Sequence, residues 1–176
     1  MNSMKKHWGI LCILVCMFLV TGGGCKKSTE AQVIPVGMLM EHSDCKETLT
    51  GGAASGEDFA PGPFSDCIDY RYNGVDALDF THVNAGLNCC PGDITGEIVY
   101  SGSQITITER ESTAGCHCMC LYDLDYRIVN LVPGQYTIHI VEPNIGADDQ
   151  ALELTLNLTG ATSGSFCLPR NHYPWQ

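Results

Sequence analysis

Residues 116–129 read CHCMCLYDLDYRIV, and alternate positions of this stretch fall into two chemically different sets if it forms a strand. Successive side chains of a β-strand point to opposite faces of the sheet. One face would carry Cys116, Cys118, Cys120, Tyr122, Leu124, Tyr126 and Ile128. The other would carry His117, Met119, Leu121, Asp123, Asp125 and Arg127. Because the first set becomes apolar and aromatic towards its end, we predict a strand whose first face packs in the core and whose three thiols extend that row.

Period-two alternation recurs on both sides of this stretch, whereas helical periodicity is weak after the first 25 residues. The clearest further strands are predicted at 105–108, 136–140 and 152–158, with shorter ones at 67–72, 77–83 and 97–101. Residues 33–40 carry Pro35 and Gly37 and suit an irregular edge strand, and 48–66 reads as a long loop. Short strands separated by turn residues predict an all-β fold, an antiparallel β-sandwich.

The segment 131–138, LVPGQYTI, places a Pro-Gly turn before an aromatic strand. It resembles the turn-to-strand signature of transthyretin-like and immunoglobulin-like modules. The resemblance implies a sandwich and no particular activity.

The N-terminus has the three parts of an export signal. Lys5 and Lys6 precede a 13-residue apolar run at 8–20, and three glycines then lead to Cys25. The run is shorter than the roughly 18–20 apolar residues that span a bilayer. Small residues directly before a cysteine resemble the lipobox of bacterial lipoproteins. That resemblance implies cleavage after Gly24 and a lipid on Cys25; the alternative is an ordinary signal peptide that leaves Cys25 as a thiol.

The chain therefore divides into a signal peptide at 1–24, a lipidated cysteine with a tether at 25–40, and a cysteine-rich sandwich at 41–176. The lipoprotein resemblance implies a bacterial cell-envelope location, and Lys26 as the second mature residue favours the outer membrane. The expected partners are the membrane, through the lipid on Cys25, and an unidentified protein or ligand.

The charge of the exported part excludes nucleic acid as a partner. The leader holds two basic residues and no acidic one, so seven basic against 20 acidic residues leave a formal charge of −13. Nucleic-acid phosphates require clustered Lys and Arg instead.

Eight of the 11 cysteines remain once the leader and the lipidated Cys25 are set aside. They are Cys45, Cys67, Cys89, Cys90, Cys116, Cys118, Cys120 and Cys167. An even count in an exported domain predicts a disulfide framework. Cys89 and Cys90 are neighbours and are expected to bond different partners. The cysteines at 116, 118 and 120 are too far apart to bond each other readily, so Cys67, Cys89, Cys90 and Cys167 are their candidate partners.

The alternative for these cysteines is a soft-metal or thiol-redox site at Cys116, Cys118 and Cys120 with Cys89 and Cys90. Three arguments favour disulfides. The chain has no Cys-x-x-Cys motif, an exported protein meets an oxidising medium, and His117 and Met119 would point away from the thiols.

No catalytic pattern is evident elsewhere. The histidines at 42, 82, 117, 139 and 172 are scattered and are expected at the surface or across strands, and no Gly-x-Ser-x-Gly motif occurs. Asp66, Asp69, Asp76 and Asp79 lack calcium-loop spacing and are expected to be solvated loop acids. The sequence therefore predicts a non-enzymatic envelope lipoprotein with a binding or structural role and no cofactor.

Overall fold

The computed structural model describes residues 33–46, 61–113 and 115–171. The signal peptide, Cys25, the part of the tether at 26–32, most of the predicted 48–66 loop and residues 172–176 lie outside these residues. No helix in the described residues is long and apolar enough to cross a membrane.

Nine strands make up the described fold. They are β1 (Val36–His42), β2 (Ser65–Tyr72), β3 (Ala77–Asn88), β4 (Ile94–Ser101), β5 (Gln104–Glu111), β6 (Met119–Val129), β7 (Gln135–Val141), β8 (Leu152–Asn157) and β9 (Thr162–Pro169). Eight of them correspond to stretches that the sequence predicted as strands. β9 was not predicted, and β2 begins inside the stretch that was predicted to be loop.

The strands form a five-stranded sheet in the order β1-β6-β3-β2-β9 and a four-stranded sheet in the order β4-β5-β7-β8. The apolar residues buried between them form one core, so the predicted disulfide-bonded sandwich is confirmed. One pair departs from the antiparallel prediction: β5 and β7 are parallel. The intervening β6 lies in the other sheet, so β7 returns to its own sheet in the direction of β5.

The alternation in residues 116–129 predicted the inward row of β6 correctly. Tyr122, Leu124, Tyr126 and Ile128 are all buried. The strand begins only at Met119, however, so Cys116 and Cys118 lie before it. Leu121 was predicted on the polar face and is also buried, at the place where residues 43–46 pair along β6.

A β-bulge at Asn84 sets the phase of β3. Asn84 has a positive φ of 71°, and the pairing of β3 with β6 shifts between Val83 and Ala85. A bulge adds one residue to its strand and thus switches which side chains point inward. His82 is consequently the last inward residue before the switch, while Ala85 and Leu87 fill the core after it.

Candidate functional site

Five ionisable side chains meet inside the protein, and none has more than 5% of its surface exposed. They come from five places in the fold: Asp66 on β2, His82 on β3, Glu109 on β5, Glu142 just after β7 and Arg170 just after β9. We call this set the buried ionic cluster. Charged residues are rarely buried unless they are paired, so the contacts among these five decide what the cluster can do.

His82 lies between two carboxylates. Its Nε2 is 2.8 Å from Asp66 Oδ1, and its Nδ1 is 2.8 Å from Glu109 Oε1. Burial acts to lower the pKa of His82, but Glu109 and Asp66 outweigh it and raise that pKa well above its usual value of 6.5. The favoured state of His82 is therefore an imidazolium, which donates one hydrogen bond to each of the two carboxylates.

Arg170 bridges the other two acidic members. Its Nε donates to Asp66 Oδ2 at 2.9 Å, and its Nη2 donates both to Asp66 Oδ2 and, at 2.9 Å, to Glu142 Oε2. Its Nη1 donates to the carbonyl of Gln150 at 2.6 Å. The planar guanidinium can reach several acceptors at once, which is why Arg suits buried ion pairs better than Lys.

Tyr126 closes the cluster on the side of β6. Its hydroxyl donates to Glu109 Oε1 at 2.9 Å, and its ring stacks on Phe80 with the centroids 4.9 Å apart. The ring also lies over Gly96 of β4, where a Cβ atom would come within 2.4 Å of it. Glycine at position 96 is therefore needed to let this ring sit between the sheets.

Two carboxylate oxygens of the cluster, Glu109 Oε2 and Glu142 Oε1, are buried without a hydrogen-bond partner. Burial raises the pKa of Glu142 to about 7. With all groups ionised, three carboxylates face two cations, and one negative charge is in excess. A proton on Glu142 or an additional cation would balance the cluster.

The cluster lacks the features of a nucleophilic active site. Both ring nitrogens of His82 are engaged by carboxylates, and no hydroxyl or thiol contacts them among the described residues. Asp66 and His82 are fully buried, so a substrate has no route to them in this conformation. Asp66 was wrongly predicted as a solvated loop acid, and the expectation of a surface or merely cross-strand position for His82 missed its burial among charges.

The other predicted acids and histidines are at the surface or paired there. Asp69, Asp76 and Asp79 are exposed, as are His42 and His117. His139 is partly exposed, with Nδ1 3.5 Å from Glu153 Oε2.

A second candidate region is the outer face of the five-stranded sheet, which forms an open depression of about 560 Å³. Directly paired residues in one cross-strand row are Met38, Arg127, Asp79, Arg71 and Ser163. The next row is Glu41, Asp125, Thr81, Asp69 and Ser165. Charges alternate in the first row, with Arg127 Nε 3.5 Å from Asp79, and the second row is acidic. We call these two rows the outer charged face.

All eight predicted cysteines form disulfides. The pairs are Cys45–Cys120, Cys67–Cys167, Cys89–Cys118 and Cys90–Cys116. Cys89 and Cys90 bond different partners, as predicted. The partner of Cys120 was predicted wrongly, because Cys45 approaches it in the segment that pairs along β6.

Three of these bonds converge on residues 116–120 at one end of the sandwich. Asn88 organises this end: its Oδ1 accepts from the amides of Cys90 and Cys116, and its Nδ2 donates to the Cys116 carbonyl at 2.7 Å. Oxidised sulfur offers no thiolate, so the alternative soft-metal site at Cys89, Cys90, Cys116, Cys118 and Cys120 does not fit the structure.

Fold and site together define a disulfide-bonded β-sandwich with an ionic cluster buried between its sheets. No protein-family model, curated protein or solved structure matches this chain.

Proposed function

We propose that this protein is an exported, lipid-anchored lipoprotein of the bacterial cell envelope, without catalytic activity, that binds a polar ligand or partner through the outer charged face. The observation that carries the proposal is the contrast between its two charged regions: one is sealed inside the protein, and the other is open to solvent. The lipid on Cys25 would hold the domain at a membrane, with the outer membrane as the expected one.

Four disulfides support the export part of the proposal. Disulfides persist in oxidising compartments and are rare in the cytosol. The four disulfides use all eight cysteines of the described domain. Of the cysteines that follow the signal peptide, only Cys25 is then available for lipid. The flanking glycines and the apolar run before them support the same assignment.

Mass spectrometry of the mature protein tests export and anchoring together. We expect a chain that begins at Cys25, carries a diacylglyceryl group with or without an N-acyl chain, and weighs eight hydrogens less than its reduced form. A Cys25→Ala variant should leave the membrane fraction, because two or three acyl chains hold a protein stably at a bilayer and no other anchor is proposed. A mature chain with an unmodified Cys25 thiol would contradict the proposal.

The burial of the cluster supports the absence of catalysis, because a substrate cannot reach it. In the described residues, the densest group of acid, base and cationic side chains is the buried ionic cluster, and it is closed to substrates. Binding of a ligand, unlike catalysis, does not require acid, base and cationic side chains gathered in one group. On the outer charged face, Arg71 and Arg127 offer donors beside the carboxylates of Asp69, Asp79 and Asp125, so a polar ligand would find both hydrogen-bond donors and acceptors.

Charge removal on the outer charged face is expected to weaken binding. We expect the variant Asp79→Ala/Arg127→Ala to lose about tenfold in retention on the envelope fraction of the source cells, equivalent to about 1.4 kcal/mol. The matched control is Glu97→Ala/Arg110→Ala, which removes a similarly exposed ion pair from the four-stranded sheet. Sedimentation of purified, delipidated protein with that fraction provides the measurement.

Equal loss in the two variants would place binding elsewhere on the surface. If the domain without substitutions is not retained by the envelope fraction, the binding role is rejected and a structural role remains. Neither variant is expected to unfold the protein, because exposed ion pairs contribute only about 0–1 kcal/mol.

A further inference from the structure

We propose that Asp66, His82 and Glu142 form a structural binding site for a divalent first-row transition-metal ion between the two sheets. The ligand atoms would be Asp66 Oδ1, His82 Nε2 and Glu142 Oε1, which all lie within 4.8 Å of one another. The ion would link β2, β3 and the end of β7, and its role requires no redox step.

The spacing of these atoms is close to that of a metal site. His82 Nε2 is 2.8 Å from Asp66 Oδ1 and 4.0 Å from Glu142 Oε1. Metal–ligand bonds of about 2.1 Å in tetrahedral geometry place neighbouring ligand atoms about 3.4 Å apart. A shift of roughly half an ångström in each of these two separations, outward for Asp66 and inward for Glu142, would bring both close to that value.

One of the three ligand atoms lacks a partner. Glu142 Oε1 is buried without a hydrogen bond, while Oε2 of the same carboxylate receives Arg170. Buried polar atoms are nearly always paired, so an orphaned carboxylate oxygen beside His82 needs an explanation. A cation between Glu142 Oε1 and His82 Nε2 supplies that missing partner.

The charges of the cluster also match a divalent cation. A metal-bound histidine is neutral, so Asp66, Glu109 and Glu142 contribute three negative charges against the single positive charge of Arg170. A divalent ion brings that sum to zero, whereas a proton on His82 alone leaves one negative charge buried, and a second proton on Glu142 would be needed to match the ion. Since an uncompensated buried charge is costly, the ion satisfies the cluster better than the imidazolium alone does.

The surrounding groups resemble the outer shell of a metal centre. Metal-binding histidines usually donate their second ring nitrogen to a carboxylate, and His82 Nδ1 lies 2.8 Å from Glu109 Oε1. Arg170 binds Asp66 Oδ2 and Glu142 Oε2, the oxygens that the ion does not use. Both carboxylates are thereby oriented with one oxygen towards His82 Nε2.

One nitrogen and two carboxylate oxygens favour zinc or manganese over soft ions such as Cu(I), which prefer sulfur. Because the site is closed to solvent, the ion is expected to enter while the chain folds and to stabilise the folded state. Zinc is therefore supplied during folding in the test.

The test uses the full mature domain, oxidatively refolded with zinc or with EDTA and then freed of loosely bound ions by gel filtration. We expect one zinc per chain by elemental analysis, and a Tm about 10 °C above that of the EDTA-treated protein. A cobalt-loaded sample that also carries Cys25→Ala should show ligand-field bands without a thiolate charge-transfer band, since the eight cysteines that remain are all oxidised.

Two variants separate this site from the acidic outer face. Glu142→Gln keeps the shape of the side chain but should bind zinc at least about tenfold more weakly. Asp125→Asn removes a carboxylate from the outer charged face and should keep the full zinc content and Tm shift. Retention of zinc by Glu142→Gln, or its loss from Asp125→Asn, would overturn the assignment.

The wild-type measurements decide the matter even if a variant fails to fold. Protein with four disulfides and a cooperative thermal transition, but with less than about a tenth of an equivalent of zinc, manganese or cobalt after refolding with each, would refute the site. A thiolate band in the cobalt sample would refute it as well.

Discussion

Replacing Arg170 by methionine should destabilise the metal-free protein by about 3–5 kcal/mol, because it strands the carboxylates of Asp66 and Glu142 in the interior. Both carboxylates accept hydrogen bonds from the guanidinium, whose side chain is only 2% exposed. The loss is large beside the 5–15 kcal/mol that stabilises a typical domain. Urea unfolding in EDTA would show it as a lower midpoint at an unchanged slope.

Three comparisons test the reason for this loss. Arg127→Met removes a half-exposed arginine of the outer charged face and should cost no more than about 1 kcal/mol. Arg170→Lys keeps the charge but not the planar fork, so its cost should fall between the two. Adding Asp66→Asn to Arg170→Met should cost less than the sum of the single changes, because one stranded charge disappears. A cost below about 1 kcal/mol for Arg170→Met would contradict the described pairing.

Much of the fold could be predicted because alternation reports directly on the face of a strand. The inward residues of β6 and β8 follow from spacing alone. Alternation does not report which strands are neighbours or in which direction they run, so the parallel β5–β7 pair was not predicted. β9 was missed because it has few apolar residues, and Leu168 is the one buried residue of its sequence TSGSFCLP.

The buried ionic cluster was missed for a related reason. Four of its five members continue apolar inward rows by the period of two, a signal that the sequence contains. His82 follows Leu78 and Phe80, Glu109 follows Ile105 and Ile107, Glu142 follows Ile138 and Ile140, and Arg170 follows Leu168. An ionisable residue at the end of an apolar row indicates a side chain turned towards the core. That these rows meet in one place depends on strand order across two sheets, which spacing within a strand does not contain.

Strand β9 connects the cluster to the disulfide framework. It is an edge strand that pairs with β2 alone, and Arg170 follows it directly. Cys67 of β2 and Cys167 of β9 stand opposite each other, with their Cα atoms 4.1 Å apart. This bond therefore fixes the strand that precedes Arg170. Its loss should weaken the contacts of Arg170 in the buried ionic cluster and should also raise the conformational entropy of the unfolded chain.

Removing the Cys67–Cys167 disulfide by the double change Cys67→Ala/Cys167→Ala should cost about 4–5 kcal/mol. The bond joins residues 100 positions apart, and the loss of chain entropy in the unfolded state grows with loop length. Removing the Cys90–Cys116 bond should cost no more than about 2 kcal/mol, because the neighbouring Cys89–Cys118 bond already holds the two positions close together and leaves only a short loop to close. Urea unfolding of the two double variants under non-reducing conditions would measure the difference.

The same two double variants also test whether the Cys67–Cys167 bond positions Arg170. If the bond also positions Arg170, then Arg170→Met should cost less in the Cys67→Ala/Cys167→Ala background than in the wild type, because neighbouring sites are not additive. In the Cys90→Ala/Cys116→Ala background its cost should stay unchanged, since that bond ties Cys90 to the segment before β6 instead. Equal costs in both backgrounds would show that β9 stays docked without its disulfide, and that the bond acts on the unfolded chain alone.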